Sequence, residues 1–140
     1  MGQRVRVPGW ERALTEELRH WEGRAFAWGP QDDCLAMCRA AAVAVTGEDP
    51  FPHLPAYATE LGAARGLRRL GFASVEAMVS DRLASIPPAQ AMRGDWVMVP
   101  GGGLVPGAFG VVAGARAAHL GPEGLVWRDV SGAERAWRIG

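Results

Sequence analysis

The stretch "CLAMCRAAAVAV", which begins at Cys34, constrains the fold more than any other part of the sequence. It is apolar on nearly all sides of a helix, with Arg39 as its charged residue, and a helix of this kind needs other elements around it. Asp32 or Asp33 can cap its beginning through a carboxylate, and Gly47 follows as a stop. The sequence therefore predicts a central buried helix that ends just before Gly47.

Three further helices are predicted around this one. The first has the periodicity of a helix with one apolar stripe, formed by Trp10, Leu14, Leu18 and Trp21. A third helix is expected from about Ala56 to Leu70. A fourth begins after a Ser74 cap and is ended by the pair Pro87-Pro88.

The character of the sequence changes after Gly94. Short β-prone runs separated by Gly and Pro follow: "DWVMV", "FGVVAG", "LVWRDV" and "RAWRI". Helices followed by a small antiparallel sheet predict an α+β domain. At 140 residues and 49% hydrophobic content, we expect one domain over residues 1–140, with residues 1–9 as an extended N-terminal arm. The glycine-rich segment 101–107 is predicted to be a mobile surface loop or a segment that orders on a partner.

Charge and hydropathy exclude two classes of partner. The chain has 15 basic and 15 acidic residues, a formal net charge of +0, and no block of like charges. It therefore lacks the electrostatic footprint of a nucleic-acid binder. No segment approaches the roughly 20 apolar residues that cross a bilayer, and the N-terminus lacks the apolar run of a signal peptide. We expect a protein made in a cytoplasm, without a membrane span or a disulfide.

Cys34 is the candidate nucleophile. In the first turn of a helix a cysteine feels the positive end of the macrodipole, which favours the thiolate, although Asp32 and Asp33 oppose this effect. The alternative is a packed thiol, because free cysteine is among the most buried residue types; Cys38 is expected to face the core. No metal or other cofactor is expected, because the possible zinc ligands show no recognised spacing. These are Cys34, Cys38, His20, His53 and His119.

Several motifs carry a resemblance to known proteins. Asp33-Cys34 at the start of a buried helix, the segment "RGDWV" and a Gly-Val-Val strand resemble the NlpC-type papain-fold peptidases, which cut bacterial cell-wall peptides. From about Trp21 to Gly140, the succession "FAWGPQDDC…VTGEDPF…Y…GAARGLRRLG…RGDWV…AFGVVAG…GLVW…AWRIG" is similar to a family of small phage and prophage proteins encoded among tail-tip genes. The resemblance implies a papain-like NlpC-type fold with Cys34 as the nucleophile and Asp33 and Asp95 as supporting residues. Asp95 could instead cap or brace the neighbouring turn.

The resemblance also locates a gap in the site. In the peptidases the catalytic base is a histidine that opens the second strand, two residues before a glycine. Aligned on Gly110, the corresponding residue is Ala108, which cannot accept a proton. The third polar residue of the peptidases, on the next strand, falls near His119 in "ARAAHLG". Either His119 reaches Cys34 directly in a rearranged dyad, or the site is inactive, because a misplacement of about 1 Å is already costly for catalysis.

The resemblance and the missing base together predict a structural component of a phage tail tip or baseplate, with a peptidase-like fold that lacks hydrolytic competence. It would be made in the host bacterial cytoplasm, reside in the virion tail tip, and dock to hub and distal tail proteins through segment 101–107 and the "GQRVRVPG" arm. One alternative is an active cysteine endopeptidase that cleaves peptidoglycan stems during genome entry, with Cys34 as nucleophile and His119 as base. Another is a cytoplasmic assembly chaperone for the tail fibre region.

Overall fold

The computed structural model describes residues 5–140, which form an α+β fold with four helices and a six-stranded antiparallel sheet. The helices are α1 (Trp10–Trp21), α2 (Cys34–Thr46), α3 (Glu60–Arg69) and α4 (Val75–Arg82). The strands are β1 (Ser85–Ile86), β2 (Trp96–Val99), β3 (Ala108–Val112), β4 (Arg116–Gly121), β5 (Gly124–Asp129) and β6 (Arg135–Trp137). Among residues 5–140, none of the helices is long and apolar enough to cross a membrane.

Helix α2 is the predicted central helix, and both of its predicted ends are confirmed. The Asp33 carboxylate accepts a hydrogen bond from the backbone N–H of Ala36 at 2.8 Å, which caps the beginning. Gly47 ends the helix in the left-handed conformation, with φ 81°, which a glycine adopts without steric cost. Asp32, the other candidate cap, instead pairs with Arg24 at the surface at 3.3 Å.

Two helix boundaries differ from the predictions. Helix α3 begins later than residue 56, because Thr59 provides the cap: its hydroxyl accepts a hydrogen bond from the Gly62 N–H at 3.0 Å. Helix α4 ends before the predicted proline pair, because the intervening residues Ser85–Ile86 form β1 and pair with β6. Pairing with a distant strand therefore decides where α4 stops.

The strand order in the sheet is β1-β6-β2-β3-β4-β5, and all neighbours are antiparallel. The last strand, β6, is inserted between β1 and β2, so the first and last strands of the β region are neighbours at one edge of the sheet. Strand β4 has the sequence "RAAHLG", in which alanine and glycine give little β propensity. Composition did not indicate this strand; only the resemblance placed one there.

Side chains on the strands alternate between two faces of the sheet, and α2 covers one of them. We call this side the helix face; its residues in the main core are Trp96, Met98, Phe109, Val111, Ala118 and Trp137. The opposite side, the reverse face, carries a smaller apolar cluster of Val97, Val112, Ala117 and Ala136. Because side chains alternate along a strand, the strand residues outside these two clusters can also be assigned to one face or the other.

The described part of the predicted N-terminal arm, residues 5–9, is anchored to the body of the protein. The N–H of Val7 donates to a carbonyl of α2 at 2.9 Å. The Arg6 guanidinium donates to the carbonyl of Ile139 at 2.9 Å, so the two ends of the described chain are joined. The remainder of the predicted contact arm, residues 1–4, lies outside the described residues.

Candidate functional site

A largely apolar pocket opens at the start of α2, where the sheet, α3 and segment 101–107 meet. Its volume is about 260 Å³, which exceeds the roughly 150 Å³ of an apolar cavity that holds benzene. Its apolar walls include Phe26, Trp28, Leu54, Leu67, Val105 and Phe109. Four residues singled out by the sequence, Cys34, Asp33, Ala108 and His119, also line it.

Cys34 is the first residue of α2 and lies half-buried in this pocket. Burial raises the pKa of its thiol from 9.0 to about 11; hydrogen bonding to the Phe109 backbone lowers the pKa, and the Asp33 carboxylate raises it. The helix start was expected to favour the thiolate, but loss of hydration outweighs that effect here. Cys34 is therefore a neutral thiol at neutral pH. Cys38, one turn later, is fully buried in the core, as predicted.

Asp33 reaches the pocket, but both of its oxygens already accept hydrogen bonds. One oxygen accepts from the Ala36 N–H and the other from the Tyr57 hydroxyl. Burial raises the pKa of Asp33 although these hydrogen bonds lower it, and burial likewise raises the pKa of Tyr57. The Asp33 side chain therefore fixes the start of α2 against Tyr57, and it does not orient His119.

His119 lies on the reverse face of the sheet. It pairs directly with Gly110 on β3, and Gly110 alternates with Phe109 and Val111 of the helix face. The imidazole covers Gly110: a Cβ at that position would lie 2.6 Å from the ring atoms Cε1 and Nε2. The absence of a side chain at Gly110 therefore makes room for the His119 ring.

The His119 imidazole is almost completely buried. The residue is 4% exposed, and neither ring nitrogen has a partner among the described residues. Burial lowers the pKa of His119 to about 4, the charge of Arg128 lowers it as well, and the Phe109 backbone acts in the opposite direction. His119 is therefore neutral at neutral pH, with one ring nitrogen that can donate and one that can accept a hydrogen bond.

Gly110→Ala is expected to lower the free energy of unfolding by roughly 1–3 kcal/mol. The new Cβ would lie 2.6 Å from the His119 ring and 2.7 Å from the Ala118 carbonyl oxygen. Chemical denaturation of the purified variants measures the loss. Adding His119→Ala removes the clash with the ring and should recover part of it. A double variant destabilised by the full sum of the two single losses would contradict the position of the ring.

The structure brings Cys34 and His119 to one pocket but does not join them in a dyad. Neither ring nitrogen has a hydrogen-bond partner among residues 5–140, so His119 forms no hydrogen bond with the thiol. The Phe109 backbone lies beside both groups, since it affects the pKa of each. Ala108, at the position expected for the base, opens β3 and gives the pocket only a methyl group. A candidate nucleophile is present without a hydrogen-bonded base.

Asp95, the other expected supporting residue, does not line the pocket. It is fully buried, and its carboxylate accepts hydrogen bonds from the Arg6 guanidinium at 3.0 Å and from the N–H groups of Met92 and Ile139, both at 2.9 Å. It therefore braces the N-terminal segment, the turn before β2 and the C-terminus. Of the two interpretations of Asp95, the contacts fit the brace on the neighbouring turn, and Asp95 does not reach the pocket that contains Cys34.

Segment 101–107 forms one wall of the pocket and is attached to α3. The Leu104 N–H donates to Glu60 Oε2 at 3.0 Å. Gly103, with φ 90°, packs so closely that a Cβ would lie 2.3 Å from the same oxygen. The Leu104 side chain, next to the pocket-lining Val105, is 57% exposed. The predicted mobile loop thus has a defined contact in this structure, and it presents an apolar side chain beside the pocket.

Sequence reasoning assigned no role to Tyr57, Glu60 or Phe109. Tyr57 stands in the motif succession that carries the resemblance, and Phe109 follows the base position, but their roles depend on contacts between distant segments.

In the described part of the chain, no group of three or more His, Cys, Asp or Glu side chains is arranged to hold a metal ion.

The fold and the pocket define the class: an α+β protein with a cysteine at the start of its buried central helix, facing an apolar pocket. The chain belongs to the family described as a domain of unknown function (DUF6950), whose model matches residues 5–139. The match includes every helix and strand named above. No curated protein matches the sequence.

Proposed function

We propose that this protein is a structural component of a phage tail tip, with a papain-like NlpC-type fold whose cysteine site does not hydrolyse peptides. The motif resemblance to small phage and prophage tail-tip proteins supports the phage context. The observation that carries the loss of hydrolysis is Ala108 at the base position, in a pocket where, among the described residues, the His119 imidazole forms no hydrogen bond with the Cys34 thiol. In this proposal the protein resides in the virion and docks to hub and distal tail proteins.

The electrostatics of the pocket support this proposal. Thiol-dependent hydrolysis needs a thiolate and a base within hydrogen-bond reach. Proton transfer from Cys34 to His119 is strongly unfavourable, because the acceptor has a pKa of about 4 and the donor a pKa of about 11. The ion pair that would make Cys34 nucleophilic is therefore not populated in this arrangement.

Alkylation of Cys34 tests this directly. In a Cys38→Ala background, the rate with N-ethylmaleimide should rise about tenfold per pH unit from pH 7 to 10 without levelling, because only the thiolate reacts. At pH 8 it should be about 100-fold slower than for a thiol of pKa 9.0, given the pKa of about 11 for Cys34. Mass spectrometry of quenched samples gives the rates, with an unstructured cysteine peptide as reference. A midpoint below 9.0, or a tenfold loss of rate in His119→Leu, would favour a functional dyad.

The phage context has a separate test. Mass spectrometry of purified particles, from a phage or an induced prophage that encodes the chain, should find it in a fixed ratio to the tail proteins. If the lysate contains the protein and the particles do not, the structural role is wrong and the assembly-chaperone alternative is favoured.

One observation favours a second candidate, an active cysteine endopeptidase. Cys34 and His119 line the same pocket and both lie beside the Phe109 backbone. The N–H groups at the start of α2 could also hold an oxyanion. Release of peptides from peptidoglycan that is lost in both Cys34→Ser and His119→Leu would establish this activity and overturn the first proposal.

A further inference from the structure

The ionisable side chains that line the pocket are acidic or neutral. Within residues 5–140, the lining includes two acids, Asp33 and Glu60, and no lysine or arginine. The Cys34 thiol and the His119 imidazole are both neutral at neutral pH, so neither adds positive charge. The pocket therefore carries negative charge that its own lining does not balance.

Glu60 is the acid whose carboxylate is available for a further contact. It is half-buried in the first turn of α3, and its Oε2 accepts a hydrogen bond from the Leu104 N–H at 3.0 Å. Among residues 5–140 it forms no ion pair, and its Oε1 accepts no hydrogen bond. One turn later α3 carries Ala63 and Ala64, so the helix itself supplies no cation.

The start of a helix explains only part of this arrangement. An acid in the first turn is stabilised by the helix macrodipole. Glu11 holds that position on α1 and is exposed, and Glu76 holds it on α4 and pairs with Arg135 at 2.9 Å. Glu60 differs from both, because it lines a pocket and has no basic partner in the described chain.

Asp33 adds to the negative charge but offers no contact of its own. Its oxygens accept hydrogen bonds from the Ala36 N–H and the Tyr57 hydroxyl. Burial raises the pKa of Asp33, and the nearby Arg39 lowers it. The Arg39 guanidinium pairs with Asp49 at 2.7 Å and does not line the pocket. Arg39 is therefore already committed to another acid.

Charge and burial together select one chemistry for a ligand. An anion would lose its hydration beside two acids, with no cation in the lining to replace it. An uncharged apolar molecule would fill the pocket but leave Glu60 without a counter-charge. A cation on an apolar stem meets both requirements, because the charge pairs with Glu60 while the stem is buried against the walls.

The walls favour a small organic cation. Four aromatic residues line the pocket, Phe26, Trp28, Tyr57 and Phe109, and aromatic faces attract cations while they also bury apolar groups. A guanidinium binds a carboxylate best through both oxygens, whereas an ammonium needs only one, such as the Oε1 of Glu60. The volume of about 260 Å³ exceeds the roughly 150 Å³ that holds benzene, which leaves room for a stem of about five carbons.

We propose that the pocket binds an alkylammonium group, whose apolar stem lies between the aromatic walls and whose nitrogen pairs with Glu60. Such a group belongs to a free amine or to the side chain of a lysine. The chain contains no lysine, so in the second case the lysine comes from a different protein. This inference goes beyond the proposed function and does not depend on the phage context.

Amide NMR of the full chain, titrated with n-pentylammonium chloride, tests the charge preference. The probe should shift the signal of Leu104, whose N–H donates to Glu60, and bind about tenfold more tightly than 1-pentanol, which has the same stem without charge. Hexanoate, with the same stem and a carboxylate, should bind more weakly than 1-pentanol. Equal affinities of pentylammonium and 1-pentanol, or tighter binding of hexanoate, would overturn the proposal.

Methylammonium chloride tests whether the stem is buried. It has the charge but almost no apolar surface, so it should bind at least tenfold more weakly than pentylammonium. Methylammonium that binds as tightly as pentylammonium would place the cation on a surface acid rather than in the pocket, and the proposal would then be wrong.

Glu60→Gln tests the assigned counter-charge. The substitution keeps an acceptor for the Leu104 N–H and removes the charge. It should lower the affinity for pentylammonium to about that for 1-pentanol, whose own affinity should change little. Glu11→Gln is the matched control: it removes an exposed first-turn acid outside the pocket and should leave both affinities unchanged. An undiminished preference for pentylammonium in Glu60→Gln would contradict the contact.

Ala63→Leu locates the stem. Ala63 lines the pocket on α3, and the larger side chain should weaken both pentylammonium and 1-pentanol about tenfold by filling the space. Ala64→Leu, on the same helix outside the pocket lining, is the control, and thermal unfolding checks that both variants fold. Unchanged binding in a folded Ala63→Leu protein would place the probe elsewhere.

N-acetyl-lysine N-methylamide separates the two sources of the ammonium group. An affinity similar to that of pentylammonium assigns the site to a lysine of a docked protein, and binding of pentylammonium alone assigns it to a free amine; both results support the ammonium site. If neither probe binds, this inference is overturned while the tail-tip role stands, because the content of purified particles decides that role. If the probes bind but particles lack the protein, the tail-tip role is wrong and the site stands.

Discussion

Asp95→Ala is expected to lower the free energy of unfolding by about 3–5 kcal/mol, the usual loss when one partner of a buried ion pair is removed. Asp95 is fully buried, and the Arg6 side chain that pairs with it is only 14% exposed. The substitution leaves the guanidinium without a counter-charge and removes the acceptor for the N–H groups of Met92 and Ile139. Since domains are stable by only about 5–15 kcal/mol, the variant should be marginally folded.

Urea denaturation followed by tryptophan fluorescence measures this loss. The matched control is Asp32→Ala, because Asp32 pairs with Arg24 at 3.3 Å while both side chains are more than a third exposed. Such surface pairs contribute about 0–1 kcal/mol. Asp95→Asn, which keeps an acceptor oxygen, should fall between the two. If Asp95→Ala costs no more than Asp32→Ala, Asp95 does not brace the fold.

The part of the site that local chemistry determines was predictable from the sequence. Cys34 was expected at the start of the buried helix because an acidic cap precedes it and a glycine stop follows, and the structure confirms that position. The runs that form β2, β3, β5 and β6 were also identified, because β-branched and aromatic residues dominate them. In these segments local propensity and tertiary contacts agree.

The properties that decide function were not predictable in the same way. The helix start predicts a stabilised thiolate, whereas the pKa of Cys34 depends on how much water the pocket walls exclude, and those walls come from distant segments. The side on which His119 projects depends on strand register, because a shift of one residue moves every side chain to the other face. The sequence position of Asp95 is compatible with bracing the turn before β2 and also with supporting Cys34. Only the location of its partners Arg6 and Ile139 decides between these roles.

His119 should make the protein less stable in mild acid. Its pKa is lowered to about 4 in the folded state from 6.5. As the pH falls from 6.5 toward 4, the unfolded chain takes up a proton at this residue and the folded chain does not. The free energy of unfolding therefore decreases by up to about 3 kcal/mol over this window, and above pH 6.5 the residue has no such effect. Asp33, whose pKa is raised by folding, acts in the opposite direction as the pH falls.

Because Asp33 and other groups titrate as well, the informative quantity is the difference between the wild-type protein and His119→Leu. Urea denaturation at half-unit steps from pH 7.5 to 4 should show the wild-type protein losing stability relative to the variant, with the difference growing below pH 6.5. His20→Leu, which removes an exposed imidazole on α1, is the control. If His20→Leu changes the pH dependence as much as His119→Leu does, the effect does not come from burial. A constant difference between wild type and His119→Leu across the range would mean that the imidazole is accessible to water, and the pocket would then be open on its reverse side.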